Sequence, residues 1–195
     1  RHVLGFDRAK VVAEGRFPLP PDATHQYEGL VRERAARRPL QHLVGTQAFW
    51  KHEFLVSPDV LIPRPETELL VEASLRFLPG REGPVVVDVG TGSGCIALSL
   101  AAERRDALVH AIDISRAALV VARANALRMA LAERVTFHEG DLLEPLTALR
   151  ARADLVVSNP PYVDSASRGG LDPEVRDGDP AVALFPPGGP CSLYG

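Results

Sequence analysis

Residues 85–102 read VVVDVGTGSGCIALSLAA, and this stretch decides the fold class. The apolar run before Gly90 predicts a buried strand, the alternating glycines predict a tight turn, and the apolar run after Gly94 predicts a buried helix. A strand, a glycine turn and a helix in this order are typical of a nucleotide-binding crossover, in which the glycine backbone approaches the ligand without a Cβ in the way. We therefore predict an α/β fold with a ligand held at the turn by Gly90, Thr91, Gly92, Ser93 and Gly94.

The spacing of the glycines argues against two common nucleotide sites. A dinucleotide fingerprint requires its third glycine at the position where this chain has Cys95. A phosphate-binding loop ends in lysine followed by serine or threonine, and no such pair follows Gly94. The first glycine instead follows an acid, Asp88, by two positions. We therefore expect a nucleoside ligand without a pyrophosphate group.

Two further predicted strands end near acidic residues at the same edge of the sheet. The run at 108–112 ends in Asp113, at roughly the distance from the glycine turn where an acid accepts hydrogen bonds from both ribose hydroxyls. The run at 135–138 is followed by Asp141 and Leu142, which we expect beside the adenine. A helix cap is the alternative for a lone acid, and Asp113 before Ser115 fits that alternative as well.

The fourth predicted strand leads into a loop that two prolines make rigid. Residues 154–162 read DLVVSNPPY, in which the apolar run predicts a strand and Pro160 and Pro161 end it. Ligands of open α/β sheets bind at the carboxyl ends of the strands. We therefore expect the turn from Asn159 to Tyr162 to hold a planar amide-like or amino group. An ordinary proline turn after a strand is the alternative.

These motifs together carry a family resemblance. The glycine turn, Asp113 and the Asn-Pro-Pro-Tyr loop resemble those of class I methyltransferases that use S-adenosylmethionine. More narrowly, LIPRPETE at 61–68 resembles the signature of the HemK-type glutamine N5-methyltransferases of peptide-chain release factors. Further matches are RPLQHLVG at 38–45, with His42 in place of the usual tyrosine, LDPEVR at 171–176 and PAVAL at 180–184. The resemblance covers almost the whole chain.

The resemblance implies a fold, a cofactor and a set of roles. The fold is a class I methyltransferase Rossmann-like sheet with helices on both faces, and the cofactor is S-adenosylmethionine, held by the glycine turn with Asp113, Asp141, Leu142 and Asn159. The substrate is a release factor, whose glutamine amide lies on the loop of Asn159, Pro160, Pro161 and Tyr162. The Asn159 side-chain oxygen and the Pro160 carbonyl then accept the two amide hydrogens, and Tyr162 packs against the amide plane.

Two other functions remain open at this point. The Asn-Pro-Pro-Tyr loop is shared with adenine N6-methyltransferases that act on nucleic acid, and a chain with the cofactor motifs alone is an inactive cofactor-binding fragment. The formal net charge of -3 and the 6% aromatic content count against the first of these, since nucleic-acid enzymes present basic and stacking surfaces. We expect no direct nucleic-acid binding.

The composition indicates which broad class of protein this chain belongs to. The chain has 195 residues, of which 46% are apolar and 24% charged, as in ordinary globular proteins. No run predicts a membrane span or a secretory signal, so we expect a cytoplasmic protein. The two cysteines, Cys95 and Cys191, and the histidines show no metal-binding spacing, so we expect no metal. A basic cluster of Arg32, Arg34, Arg37 and Arg38 is interpreted as a solvated helix face in preference to a contact patch for a protein partner.

The chain divides into three predicted parts. Residues 1–45 form a partial helical substrate-recognition module, in which Tyr27, Leu30, Val31 and Ala35 are expected to face inward. Residues 46–62 form a linking β-hairpin, and residues 63–195 form the cofactor-binding catalytic domain. The resemblance implies seven strands in that domain, and the sequence predicts four. We therefore expect the C-terminal part of the domain to be missing from this chain.

Overall fold

The computed structural model describes residues 2–149, 152–189, 192 and 193. The amino-terminal part consists of short helices, and none of them has a fully buried side chain. They are α1 (Arg8–Ala13), α2 (Pro21–Ala35) and α3 (Leu40–Val44). Helix α2 begins at a proline, whose missing N–H costs nothing in a first turn. Helix α3 ends at Gly45, which takes the left-handed conformation common after helix ends.

The predicted inward face of α2 is wrong in most positions. Tyr27 and Val31 are 55% and 46% exposed, Ala35 is exposed, and Leu30 is half-buried. The helix contacts α3, and most of its apolar stripe is exposed. The sequence pattern indicated which face is apolar, but not whether a second layer covers it.

A two-stranded antiparallel hairpin follows, and it is shorter than predicted. Its strands are β1 (Thr46–Phe49) and β2 (His52–Leu55), with Thr46 opposite Leu55. After Leu55 one more backbone hydrogen bond, from Val56 N to the Gly45 carbonyl at 3.0 Å, continues the pairing, and Pro58 has no N–H with which to extend it. The Ser57 hydroxyl also donates to Asp59 Oδ2 at 3.0 Å and forms a local turn. Residues 56–62 are therefore a loop, although Val56 and Ile62 are buried in it.

A four-stranded parallel sheet forms the body of the protein, as predicted from the four apolar runs. After a 3-10 turn at Pro65–Thr67 the elements alternate. They are α4 (Glu68–Phe77), β3 (Val85–Val89), α5 (Cys95–Glu103), β4 (Leu108–Asp113), α6 (Arg116–Arg128), β5 (Val135–Glu139), α7 (Glu144–Leu149) and β6 (Leu155–Ser158). A second 3-10 turn at Ser165–Gly170 precedes α8 (Pro173–Gly178) and α9 (Ala181–Leu184).

Both faces of the sheet carry helices. One face packs against α4, α5 and α6 in the main core, which includes Val86, Val109, Leu98 and Val71. On the other face Val87, Val89 and Ile112 pack with Leu146 of α7. Strands covered on both faces are continuously apolar, which explains why the sequence predicted them well. The predicted α/β class is confirmed.

Strand order places the carboxyl ends where a ligand is expected. The order is β5-β4-β3-β6, so the chain moves outward from β3 and then returns to the other side of β3. Such a reversal opens a crevice beyond the carboxyl ends of the strands. The loops at Gly90, Asp113, Gly140 and Asn159 all lie at this edge.

Candidate active site at the carboxyl edge of the sheet

A cavity of about 240 Å³ opens at this edge. Its walls are the loops after all four strands, residues between Asp59 and Thr67, and the segment around Pro180. Most of the predicted site residues line it, namely Gly90, Thr91, Gly92, Ser93, Asp113, Asp141, Leu142, Asn159, Pro160 and Pro161. Gly94 and Tyr162 are not among the lining residues. A Cβ on Gly94 would lie 3.1 Å from Leu98 Cδ1, so this glycine serves helix packing, and Tyr162 is 62% exposed outside the cavity.

The glycine turn leaves room for a ligand against its backbone. Gly90 and Gly92 have φ angles of 71° and 56°, which residues other than glycine adopt only with strain. A Cβ on either would meet no protein atom within 4 Å. Both residues line the cavity, so the space that a side chain would take is open to a bound molecule.

The buried carboxylate of Asp88 braces the turn from behind. Its Oδ2 accepts hydrogen bonds from Thr91 Oγ1 at 2.6 Å and from Ala97 N at 3.2 Å, which joins the strand, the turn and α5. Its Oδ1 is buried and has no hydrogen-bond partner among the described residues. Burial raises the pKa of Asp88 to about 7. Asp88 is not a lining residue, so its role is to shape the turn.

Asp113 faces the cavity and also holds the turn. Its Oδ2 accepts from Gly92 N and its Oδ1 accepts from Ser115 N, both at 2.8 Å. Burial raises the pKa of Asp113, and these two bonds oppose that rise. Each carboxylate oxygen accepts more than one hydrogen bond, so Asp113 retains capacity for two ribose hydroxyls. The geometry of Asp113 is therefore compatible with both interpretations of this residue, as part of a helix start and as a ligand contact.

The loop after β5 supplies an apolar wall. Gly140 N donates to the Asp113 carbonyl at 3.1 Å, which joins the ends of two neighbouring strands. Leu142 follows with a φ angle of 46°, a left-handed conformation that is uncommon for leucine. Its side chain is 41% exposed and lines the cavity with Asp141. Leu142 thus adds an apolar surface to the cavity that Asp113 also lines.

The Asn-Pro-Pro-Tyr loop is held on both sides. Ser158 Oγ donates to the Val89 carbonyl at 2.7 Å, and Val163 N donates to the Leu184 carbonyl at 2.9 Å. Between these anchors Asn159 Nδ2 donates to Thr67 Oγ1 at 3.2 Å. Thr67 lies in the motif LIPRPETE, so the two stretches that carried the resemblance meet at this contact.

An ion pair between half-buried Arg64 and buried Asp179 closes the remaining wall. Arg64 Nη2 donates to Asp179 Oδ2 at 2.5 Å, and Ile62 N donates to Asp179 Oδ1 at 3.3 Å. Burial raises the pKa of Asp179, while the charge of Arg64 opposes the rise. Asp179 was not among the predicted site residues, since a single acid between two matching stretches gives no local signal. Thr67 lies inside the LIPRPETE motif, but that motif does not indicate that its hydroxyl contacts Asn159, 92 residues away.

The basic cluster is largely exposed, as predicted for a solvated face, but two of its arginines also pair with a distant acid. Arg34 Nη1 and Arg37 Nε lie 2.9 and 3.4 Å from Glu174 Oε1, so these arginines join the amino-terminal helices to α8. Gly178 at the end of α8 lies against Pro39 so closely that a Cβ would collide with the proline ring. The amino-terminal part is therefore packed onto the segment that carries Asp179.

The described ranges hold neither a metal-ligand cluster nor a membrane-spanning helix. Across residues 2–149 and 152–189, with 192 and 193, no three or more His, Cys, Asp or Glu side chains gather as ligands. Cys95 is buried with a free thiol, and burial raises its pKa to about 12, while Cys191 lies outside the described residues. Within the same described part of the chain, every helix is too short or too polar to cross a bilayer.

Comparison with known proteins adds two family matches. The profile of the PrmC N-terminal domain matches residues 1–45, and that of the Methyltransferase small domain matches residues 66–170. A release factor glutamine methyltransferase of Geobacter sulfurreducens is 45% identical over 181 residues, covering 93% of this chain and 62% of that protein. Proteins of the same name from Cereibacter sphaeroides and Bacillus subtilis are each 41% identical, over 99% and 97% of this chain and 67% of their own length. The chain spans about two thirds of the length of these relatives.

Solved structures agree with the fold. The hMettl16 catalytic domain superposes with a TM-score of 0.58 at 17% identity, over 72% of this chain and 53% of that one. A SAM-dependent methyltransferase from Agrobacterium tumefaciens gives a TM-score of 0.51 at 19% identity, over 60% and 39% of the two chains. At these identities the likeness concerns the fold alone, and it confirms the predicted class I methyltransferase architecture.

Proposed function

The chain belongs to the release factor glutamine methyltransferase family, and we propose that it methylates the side-chain amide nitrogen, N5, of a glutamine in a peptide-chain release factor, with S-adenosylmethionine as methyl donor. The observation that carries this proposal is the position of Asn159 and Pro160 on a rigid loop that lines the same cavity as the glycine turn. A nucleoside site and an amide-binding loop thus share one cavity.

The residues present fit the proposed cofactor. Gly90 and Gly92 leave open space against their backbone, which suits a close-lying ligand. The carboxylate of Asp113 suits the ribose hydroxyls, and Leu142 with Asp141 suits the adenine. The cavity edge around Asn159 is then left for the reacting end of the ligand. When bound, S-adenosylmethionine supplies a methyl group activated by its positively charged sulfur.

The protein's own contribution is to orient a weak nucleophile. A glutamine amide nitrogen is unreactive because its electron pair is delocalised into the carbonyl. In our proposal Asn159 Oδ1 and the Pro160 carbonyl each accept one amide hydrogen, which aims the nitrogen and favours the positive charge that develops on it. With the methyl donor bound, the oriented nitrogen would use its electron pair to take up the methyl group and would release one proton to solvent, and the donor would keep the electron pair of the bond that breaks. Positioning of reactants lowers a barrier by several kcal/mol, roughly 7–11 at the upper end.

Tyr162 and the amino-terminal helices are proposed to contact the protein substrate. The Tyr162 ring is exposed beside the cavity, where it is available to pack on an entering glutamine side chain. Residues 1–45 are proposed as a substrate-recognition module, supported by the family match over the same residues. Residues 63–195 are proposed as the cofactor-binding catalytic part. Because release factors act on ribosomes, we propose that this activity takes place in the cytoplasm, without direct binding of nucleic acid.

The experiment that tests this function offers competing substrates. The full chain is incubated with S-adenosylmethionine labelled in the methyl group and, in separate reactions, a release factor, the same factor with its target glutamine replaced by alanine, and adenine-containing duplex DNA. Label on the release factor that keeps its glutamine, and on neither of the other two substrates, supports the proposal. Label on DNA supports an adenine methyltransferase instead, and no label together with measurable cofactor binding supports an inactive cofactor-binding chain.

A further inference from the structure

We propose that Thr67 sets the orientation of the Asn159 carboxamide, and thereby makes the site select an amide over a carboxylate. This inference rests on the proposed function, since it concerns how that site chooses its substrate group. The contact that carries it is the hydrogen bond from Asn159 Nδ2 to Thr67 Oγ1, at 3.2 Å. Both residues line the cavity, and the chain separation between them is 92 residues.

The backbone is held on both sides of this contact. Asn159 precedes a proline, which restricts its backbone to extended conformations, and Ser158 before it is hydrogen-bonded to Val89. Thr67 ends a 3-10 turn in which its N–H donates to the Arg64 carbonyl at 3.0 Å. Its side chain is nearly buried, with 7% of the residue exposed. The main remaining freedom is rotation of the Asn159 side chain. A threonine hydroxyl both donates and accepts, so the proposal assigns to Thr67 Oγ1 the acceptor role toward Nδ2 that the structure gives it.

The orientation matters because the two ends of a carboxamide have opposite chemistry. The nitrogen donates two hydrogen bonds and the oxygen accepts them. With Nδ2 directed at Thr67, Oδ1 is the end left for a ligand, and no donor to it is present in the described part of the chain. Oδ1 and the Pro160 carbonyl then form a pair of acceptors, which matches the two hydrogens of a glutamine amide.

The same pair of acceptors opposes a carboxylate. A glutamate side chain in this place would bring oxygen lone pairs against Oδ1 and the Pro160 carbonyl, and a polar site with unmatched groups discriminates strongly. If the Asn159 carboxamide were rotated by half a turn, its NH2 would face the ligand, and the preference would reverse. Thr67 is therefore a positioning residue that acts on the substrate through Asn159.

The test compares Thr67→Val, which removes the hydroxyl at similar size, with Thr67→Ser, which keeps it. Loss of one neutral hydrogen bond is expected to lower kcat for methylation of the release factor about 2- to 10-fold in Thr67→Val. We expect the Kd for S-adenosylmethionine to stay unchanged, and a glutamate-substituted release factor to inhibit Thr67→Val more strongly than it inhibits the original protein. Thr67→Ser is expected to keep the original kcat and the original discrimination. The proposal is overturned if Thr67→Val keeps the original kcat and the original discrimination. It is also overturned if Thr67→Ser loses kcat and discrimination to the same extent as Thr67→Val.

A second measurement does not depend on activity. In ¹⁵N spectra the Asn159 side-chain NH2 signals are identified by their disappearance in Asn159→Ala. We expect Thr67→Val, or Thr67→Ala if valine distorts the turn, to shift these signals, and Thr67→Ser to leave them near their original positions. Unmoved signals in Thr67→Val and Thr67→Ala overturn the role of Thr67. If the original chain methylates nothing but the signals shift as expected, the proposed function fails while the Thr67–Asn159 contact stands.

Discussion

Asn125 pairs with the backbone of Leu55 through both ends of its side-chain amide. Its Oδ1 accepts from Leu55 N at 2.6 Å, and its Nδ2 donates to the Leu55 carbonyl at 3.0 Å. The same Nδ2 donates to the carbonyl of Ser93 in the glycine turn at 2.9 Å. Asn125 is 1% exposed, so one buried side chain of α6 joins the hairpin to the glycine turn.

Replacement of Asn125 by leucine is expected to damage both stability and cofactor binding. The change leaves buried backbone groups of Leu55 and Ser93 without partners, which costs about 2–4 kcal/mol of unfolding free energy. It also releases Ser93, so the Kd for S-adenosylmethionine is expected to rise. Urea unfolding and calorimetric titration measure the two effects. Leu127→Ala on the same helix is the control, because Leu127 is 70% exposed and its loss is expected to change stability by at most about 0.5 kcal/mol.

Asp88 is expected to make stability fall as pH rises. The pKa of Asp88 is raised to about 7 in the folded protein, so between pH 4 and 7 the folded state keeps a proton that the unfolded chain releases. Its stabilising contribution is therefore complete below pH 4 and is lost as pH rises through 7. In Asp88→Asn this loss is absent, so the variant is expected to gain stability relative to the original protein across that range, by up to roughly 4 kcal/mol.

Unfolding free energies measured from pH 4 to 8 check this difference. Asp22→Asn, at an exposed position of α2, is the matched control for the chemical change from aspartate to asparagine. A difference between Asp88→Asn and the original protein that stays constant with pH would contradict the interpretation.

Two histidines on neighbouring strands are expected to have the opposite effect. His110 Nδ1 and His138 Nε2 lie 2.9 Å apart, and burial lowers the pKa of each ring, with the charge of His110 lowering that of His138 further. Since the folded pKa lies below the unfolded value of 6.5, the unfolded chain takes up protons first, and stability is lost as pH falls from about 7 towards 5. His138→Gln is expected to flatten this part of the stability profile, and His25→Gln, at an exposed position of α2, is the matched control for the substitution.

The packing of Gly178 on Pro39 predicts a local effect on the amino-terminal helices. A Cβ at position 178 collides with the proline ring, and overpacking of this kind typically costs about 1–3 kcal/mol. Gly178→Ala is therefore expected to speed hydrogen exchange in residues 21–45 more than in the strands of the sheet. Gly169→Ala is the control, since a Cβ at that position would meet no atom within 4 Å. Equal exchange in the two variants would mean that the helices are held by other contacts.

Local sequence patterns were sufficient for the parts of the site that a single strand and its loop supply. The β3 strand, the glycine turn and Asp113 were predicted because apolar runs and glycines mark where a buried strand stops. Asn159 was predicted in the same way, since β6 ends at Ser158 and Pro160 directly follows Asn159. These residues were found without knowledge of which strands are neighbours.

The residues that were missed depend on contacts between distant parts of the chain. Thr67 contacts Asn159, and Asp179 contacts Arg64 and Ile62, and no local pattern encodes such pairs. The exposed face of α2 was mispredicted because periodicity shows an apolar stripe but not its cover. The interpretation of Arg34 as solvated overlooked Glu174, which is 140 residues away in the chain.

The most direct test of the account is the effect of Asn159→Ala on methyl transfer compared with its effect on cofactor binding. We predict that single-turnover transfer to a release factor falls on the order of 100-fold, as for loss of one orienting hydrogen-bond group in an active site, while the Kd for S-adenosylmethionine changes less than about threefold. Equal losses in the two quantities, or full transfer by Asn159→Ala, would contradict the claim that this side chain orients the substrate amide.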